Sequence, residues 1–172
     1  MLKATPQLNK IFTTCSEKTL SPKVTELVRF AAHLANCNSS ATGAGGSHKA
    51  ATAAGASQDE LLCAACLSAC AGGPTTQAAF AAVHKTDAAK PFAHVKADAL
   101  DKKTTHLVSL AACLVSGCEC AAGHIVEARL AGAKDEELAR AACLAACARG
   151  LTAKWRFAAA LQCAGAHRAC AC

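Results

Sequence analysis

Residues 100–112 read LDKKTTHLVSLAA, and residues 20–32 read LSPKVTELVRFAA. The two stretches lie 80 places apart and carry leucines, a lysine, a threonine and an alanine pair at matching positions. In each stretch a residue that often caps helices, Asp101 or Ser21, precedes apolar residues at helical spacing. We therefore expect each stretch to begin a long helix.

The similarity between the two halves continues along the chain. After a gap in the alignment the shift becomes 77 places, and residues 54–80 then match residues 131–157, with Gly73 opposite Gly150. The extra residues of the first half fall in the glycine- and serine-rich stretch 38–47. Alanine bias alone would not align leucines, glycines and phenylalanines as well, so the sequence predicts a duplication.

Glycines and capping residues divide each half into four helices. Gly55 and Gly132 are expected to end the second helices, and Gly73 and Gly150 the third. Fourth helices are expected at about 76–84 and 152–162, and no segment alternates β-branched residues. The predicted fold class is all-α, a duplicated helical bundle. The predicted segments are an N-terminal helical extension at 1–19, a first repeat at 20–90, a second repeat at 91–163 and a tail at 164–172, which we expect to be mobile.

The composition restricts the classes of function. Of the residues 53% are hydrophobic but only 3% are aromatic, so alanine-lined helices must approach closely and pack against many neighbours, which favours an oligomer. The net charge of +6 is scattered, so we expect no nucleic-acid partner. No uncharged apolar run approaches about 20 residues, so we expect no membrane span.

The cysteines favour a reducing compartment. The chain has 13 of them, an odd number, and most lie in alanine-rich helical pattern without a preceding signal peptide. We therefore expect a cytoplasmic location. Residues 1–14 contain lysines and no acidic residue, so import into a mitochondrion or another organelle is the alternative interpretation.

One segment stands apart from this cysteine background: residues 116–124 read SGCECAAGH. If a helix begins near Cys118, its first-turn amides would stabilise a thiolate there. His124 lies one helical turn after Cys120, where an imidazole can exchange protons with the sulfur or a substrate. With Glu119 between the thiols, the sequence predicts a catalytic site.

The pairing of the thiols stays open at this stage. Side chains two residues apart on a helix, at about 100° per residue, point away from each other, so a Cys118–Cys120 disulfide requires non-helical backbone. Gly117 would allow such a bend. The alternative is that Cys120 pairs with Cys113, Cys37 or another cysteine that the fold brings close.

The second half resembles a carboxymuconolactone decarboxylase domain over residues 100–159. The resemblance rests on residues 100–103, 107–111, 117–120, His124, 131–133 and 135–137. Two such units in one chain resemble alkylhydroperoxidase D. That architecture implies a homotrimer, whereas single-unit relatives often form hexamers.

The resemblance also implies roles for the candidate residues. Thiol-bearing members carry Cys-x-x-Cys-x-x-x-His, which makes Cys120 the attacking thiol, Cys118 the resolving thiol and His124 the acid/base. This chain departs from the pattern in two places. Gly117 stands where the first cysteine is expected, and His106 falls near the position of an acidic relay residue. Glu26 occupies the corresponding place in the first repeat, from which a carboxylate could be supplied.

The remaining candidates are interpreted as structural. In the first repeat Cys37 lies opposite Gly117 and His48 near the counterpart of His124, but Ser40 stands opposite Cys120, so we interpret this repeat as a structural copy. A zinc site of Cys118, Cys120 and His124 lacks a fourth ligand. We expect core positions for the cysteines that recur at helical spacing, namely Cys63, Cys66, Cys70, Cys143 and Cys147.

Three functional hypotheses follow. The first is a cofactor-free antioxidant oxidoreductase that acts on a small-molecule hydroperoxide or a protein disulfide, with a thiol reductant that the sequence does not identify. The second is a lyase that decarboxylates a carboxylated lactone, which needs histidine but no thiol. The third is a non-catalytic oligomeric scaffold, which a regular helix through Cys118 and Cys120 would support.

Overall fold

The computed structural model describes residues 16–36, 43–84, 95–96 and 98–169. Within these ranges the regular structure consists of eight α-helices and no strand. They are α1 (Pro22–Ala35), α2 (Ala44–Ala53), α3 (Gln58–Gly72), α4 (Pro74–His84), α5 (Lys102–Ser116), α6 (Ala121–Leu130), α7 (Asp135–Arg149) and α8 (Leu151–Ala169). The predicted all-α fold class is confirmed.

The long helices α1 and α5 begin where the sequence predicts. The Ser21 hydroxyl accepts a hydrogen bond from the backbone N–H of Val24, and the Asp101 carboxylate accepts one from the N–H of Thr104. Each cap satisfies an amide that has no partner within the helix, an interaction that typically contributes about 1 kcal/mol.

Glycines end the helices because they can adopt a left-handed backbone. Gly73 and Gly150 follow α3 and α7 with φ angles of 71° and 78°, as expected. The fourth helices differ from the prediction. They begin at Pro74 and Leu151, directly after these glycines, and α8 continues to Ala169. The predicted end of the last helix, at about residue 162, is therefore seven residues too early.

Helices α1 and α5 lie at the centre of the bundle. They contact each other, α1 also contacts α2, α3, α4 and α7, and α5 also contacts α3, α6, α7 and α8. Leu27, Leu107, Ala31 and Ala111 are fully buried in one continuous core that includes residues of both halves. Burial of each leucine stabilises the fold by roughly 1.5–3 kcal/mol.

We propose that residues 20–90 and 91–163 are two copies of one unit. The first three helices of each half have similar lengths, with 14, 10 and 15 residues in α1–α3 and 15, 10 and 15 in α5–α7. This similarity supports the proposal. Residues 1–15 of the predicted N-terminal extension and residues 91–94 and 97 of the second repeat lie outside the described residues.

In the described part of the chain, no helix combines the length and apolar character that crossing a membrane requires.

Candidate functional site

The backbone leaves helical geometry at the two candidate thiols. Helix α5 ends at Ser116, Gly117 adopts a left-handed conformation with φ 85°, and α6 begins only at Ala121. Cys118 and Glu119 lie in this turn, and Cys120 is the N-cap of α6. The turn supplies the non-helical backbone that contact between the two thiols requires.

The Cys118 thiol is activated by hydrogen bonds. The backbone N–H of Cys120 is the main cause that lowers the Cys118 pKa, against the opposing effect of burial, and the thiols of Cys120 and Cys113 also donate to this sulfur. The negative charge of Glu119 acts in the opposite direction. Because donors to a charged sulfur favour the thiolate, Cys118 is the more acidic thiol of the pair.

Cys120 has the opposite character. Its pKa is raised, mainly because its S–H donates to Cys118 and then because the Cys118 thiolate repels a second charge. The sequence-based expectation gave Cys120 the attacking role, whereas these pKa directions favour Cys118. Hydrogen bonds within the turn therefore determine which thiol is the more acidic. The amides of α6 do not, since α6 starts after Cys118 and its first turn does not contain that residue.

His106 on α5 and His124 on α6 form a pair. Their Nδ1 atoms lie 3.2 Å apart, which is a hydrogen bond in which one ring donates and the other accepts. Burial lowers the pKa of both imidazoles, and the charge of His106 lowers that of His124 further. Both rings are therefore neutral near pH 7, as an N–H···N bond requires.

A carboxylate near this pair comes from Glu127, which sequence reasoning missed. The charge of Glu127 raises the pKa of both His106 and His124, against the effect of burial, and its Oε2 lies 3.5 Å from Nζ of Lys102. Glu127 lies three residues after His124 on the same helix face, and that spacing was the available signal.

The thiols and His124 meet at a cavity of about 140 Å³. Ser109 and Cys113 of α5 form one wall, and Leu67, Cys70 and Ala71 of α3 form another. Cys118, Cys120 and His124 complete the lining. Burial, followed by the charge and hydrogen bond of Cys118, raises the pKa of the Cys113 thiol, so Cys113 stays protonated and serves as a donor. The cavity therefore combines an acidic thiol with a neutral imidazole.

Arg156 explains why glycine stands at position 117. Its Nη1 donates to the carbonyl oxygens of Leu114 and Val115, at 2.9 and 2.6 Å, and so satisfies the end of α5. A Cβ added at Gly117 would lie 2.7 Å from Nη2 of Arg156. The guanidinium occupies the space of a side chain where the family pattern has its first cysteine. Arg156, Cys118 and Glu119 also line a second cavity of about 390 Å³.

The two other carboxylate candidates behave differently. Glu26 pairs with Arg29 at 2.6 Å and lines a separate cavity of about 420 Å³ with Thr25 and Arg140. The structure does not place Glu26 at the cavity that contains the thiols and His124. Glu119 is exposed, and its charge raises the pKa of Cys118 and Cys120.

The cysteines predicted as core residues divide into three groups. Cys63 is buried as expected, Cys66 and Cys143 are half-buried, and Cys70 and Cys147 are exposed. The core prediction is therefore wrong for Cys70 and Cys147. Alanine and cysteine residues are spread so evenly around α3 and α7 that the sequence does not indicate which face of either helix is buried. Cys37 and Ser40 lie outside the described residues. His48 contacts the ring of Phe30 on α1, with the ring centres 5.6 Å apart.

In the regions that the structure describes, no group of three or more His, Cys, Asp or Glu side chains is arranged to hold a metal ion. The zinc alternative for Cys118, Cys120 and His124 thus lacks support from geometry.

The fold and site define an all-α bundle in which a thiol pair and His124 line one cavity, with His106 hydrogen-bonded to His124. Residues 88–162 match the model of the carboxymuconolactone decarboxylase family. This match supports the superfamily resemblance for the second half of the chain. No curated protein and no solved structure matches the chain.

Proposed function

We propose that the protein is a thiol-dependent oxidoreductase that reduces a hydroperoxide or a disulfide, with Cys118 as nucleophile and Cys120 as resolving thiol. The observation that carries this proposal is the set of hydrogen bonds to the Cys118 sulfur, beside the neutral His106–His124 pair. An acidic, partly accessible thiol next to a proton acceptor is the usual arrangement of a redox cysteine.

The first step oxidises Cys118. Neutral His124 accepts the thiol proton, and the Cys118 thiolate attacks one peroxide oxygen, so that an S–O bond forms and the O–O bond breaks. The departing alkoxide takes the proton back from His124 and leaves as an alcohol. His106 holds Nδ1 of His124, so Nε2 is the remaining ring nitrogen for this transfer.

The second step resolves the oxidised thiol. The Cys120 sulfur attacks Cys118, an S–S bond forms, and the hydroxyl leaves as water with the Cys120 proton. Two equivalents of an external thiol then reduce the disulfide, form one external disulfide and return both cysteines to their starting state. The contact between the two side chains supports this order of events.

Single-turnover stoichiometry tests the proposal. Cys118→Ser should consume no hydroperoxide, whereas Cys120→Ser should consume one equivalent per chain and leave Cys118 either as a sulfenic acid or in a disulfide with another thiol of the cavity, Cys113 or Cys70. Cys147→Ser, which alters an exposed thiol outside the cavity, is the matched control. Unchanged hydroperoxide consumption by Cys118→Ser would overturn the proposal.

A second candidate is decarboxylation of a carboxylated lactone. The name of the matched family favours it, and the His106–His124 pair with Glu127 could move a proton without any thiol. The candidates separate cleanly in one assay. Lactone turnover that survives Cys118→Ser and Cys120→Ser but not His124→Ala would establish the lyase.

The condition that would support the scaffold hypothesis is not met. It called for a regular helix through Cys118 and Cys120 with no other thiol in reach, but the backbone turns at Gly117 and Cys113 donates to Cys118. The hypothesis would regain support if neither peroxide nor lactone were turned over.

We further propose a homo-oligomer, with a trimer favoured over a hexamer, in a reducing compartment such as the cytoplasm. Leu130, Leu151 and Trp155 are 71%, 70% and 47% exposed, an apolar surface that self-association would cover. The mass in solution, from light scattering during gel filtration, tests this part. A monomeric mass would contradict it.

A further inference from the structure

Cys70 lies on the wall of the thiol cavity, although it belongs to the first half of the chain. It stands in the last turn of α3, and Leu67, Cys70 and Ala71 share the helix face that lines the cavity opposite Cys113 and Cys118. Cys70 is exposed, whereas Cys118 is only partly exposed. Cys70 therefore connects the cavity to the surface.

The sulfur of Cys70 interacts with thiols on both sides. Cys66, one turn earlier on α3, donates its S–H to Cys70. After burial and the nearby sulfurs of Cys118 and Cys120, the charge of Cys70 also contributes to raising the pKa of Cys113. A line of thiols thus extends from α3 to the Gly117 turn.

The equivalent cysteine of the second half offers a contrast. Cys147 lies 77 places after Cys70, near the end of α7, and is likewise exposed. Cys147 does not line the thiol cavity. Two exposed cysteines at equivalent positions therefore differ in whether they line the cavity that contains Cys118 and Cys120, which makes Cys147 a natural control for Cys70.

We propose that Cys70 is a third redox thiol, which receives the disulfide from the Cys118–Cys120 pair and presents it to an external thiol at the surface. The proposal rests on the proposed oxidoreductase function. In this proposal a residue of the first half takes part in the reaction, so residues of both halves form the site.

The exchange conserves atoms and electrons. The Cys70 thiolate attacks the Cys118 sulfur of the Cys118–Cys120 disulfide, a Cys70–Cys118 bond forms, and Cys120 leaves as a thiolate that takes up the Cys70 proton. An external monothiol then attacks the exposed Cys70 sulfur and releases Cys118 reduced. A second molecule of that monothiol frees Cys70, so one disulfide of the external thiol is produced in each cycle.

Trapping the mixed disulfide tests the proposal. In the full-length double variant Cys113→Ala/Cys120→Ser, both other partners of Cys118 are removed. Diamide, which takes two electrons from any thiol pair in reach, should then link Cys70 to Cys118, as peptide mass spectrometry would detect. The same variant with Cys147→Ser added should give the same link. A Cys70 that is free, or linked only to Cys66, after diamide would overturn the proposal, whether or not the protein consumes peroxide.

The recycling rate provides a second test. With reduced glutathione as the external thiol, Cys70→Ser should still consume its first hydroperoxide equivalent but lose most of its rate of disulfide reduction. Cys147→Ser should keep both. Recycling by Cys70→Ser at the rate of the unmodified protein would overturn the role of Cys70 and leave the oxidoreductase function standing. If the unmodified protein does not consume the first equivalent of hydroperoxide, the proposed oxidoreductase function is itself overturned.

Discussion

The Nδ1 atoms of His106 and His124 lie 3.2 Å apart and join α5 to the first turns of α6. His106 stands near the place of an acidic relay residue in the family pattern, and a second imidazole there changes the chemistry. A carboxylate would raise the pKa of His124, whereas His106 lowers it. Burial, followed by the charge of His106, lowers the pKa of His124, so this imidazole is neutral near pH 7.

Replacement of His106 tests this effect. In His106→Leu the charge that lowers the pKa of His124 is absent, so this pKa should rise and the acid limb of the rate profile should move to higher pH. The rate at neutral pH should also fall, because general acid/base groups contribute about 10²–10⁴-fold when well positioned.

The pH dependence of hydroperoxide reduction is the measurement. His33→Leu serves as the control, since His33 on α1 is also an imidazole of lowered pKa, but His106 is the imidazole that is hydrogen-bonded to His124. A profile for His106→Leu that coincides with that of the unmodified protein would show that the pair has no catalytic role.

Glu127 should have the opposite effect. Its charge raises the pKa of both imidazoles, so Glu127→Gln should lower both values and move the acid limb of the rate profile to lower pH. Glu136→Gln removes an exposed carboxylate from the first turn of α7 and should leave the profile unchanged. Shifts of equal size in the two variants would mean that only the net charge matters.

Gly117 should resist substitution for two separable reasons. At φ 85° a Cβ is strained, which costs about 1–2 kcal/mol. That Cβ would also displace the Arg156 guanidinium from the carbonyl groups at the end of α5, at a cost of about 1 kcal/mol more. Gly117→Ala should therefore lower the free energy of unfolding by more than strain alone.

Gly132→Ala isolates the strain. Gly132 has φ 87° and, apart from its own chain neighbours, no atom within 4 Å of the position that a Cβ would take. In urea unfolding, this variant should therefore show only the loss of stability that backbone strain causes. In an Arg156→Ala background the excess cost of Gly117→Ala over Gly132→Ala should vanish. An unchanged excess would show that Arg156 does not restrict position 117.

The sequence predicted the helices well because helix ends depend on local chemistry. Ser21, Asp101 and Gly73 act within one turn of their own position, so their effect is readable from neighbouring residues. The start of α8 at Leu151 was placed one residue late and its end was placed seven residues early, since Gly165 is of a type that often ends helices but lies inside α8.

The site was predicted only in part because much of it depends on packing. His124 and both thiols of the turn were candidates from their spacing alone, and His106 from its place in the family pattern. Cys70 and Cys113 reach the cavity only because α3 packs against α5, which no local pattern reports. Which of the two thiols is the more acidic could not be predicted for a related reason. The N–H of Cys120 points to Cys118 only in the turn that Gly117 creates.

The most direct measurement is the rate of alkylation of Cys118 and Cys120 against pH, read by mass spectrometry on native protein before and after hydroperoxide treatment. We expect alkylation of Cys118 at a lower pH than that of an ordinary thiol of pKa about 8.5, and alkylation of Cys120 only at a higher pH. Treatment with hydroperoxide should protect both thiols from alkylation. Alkylation of Cys118 with an ordinary pH dependence and no response to hydroperoxide would contradict these expectations.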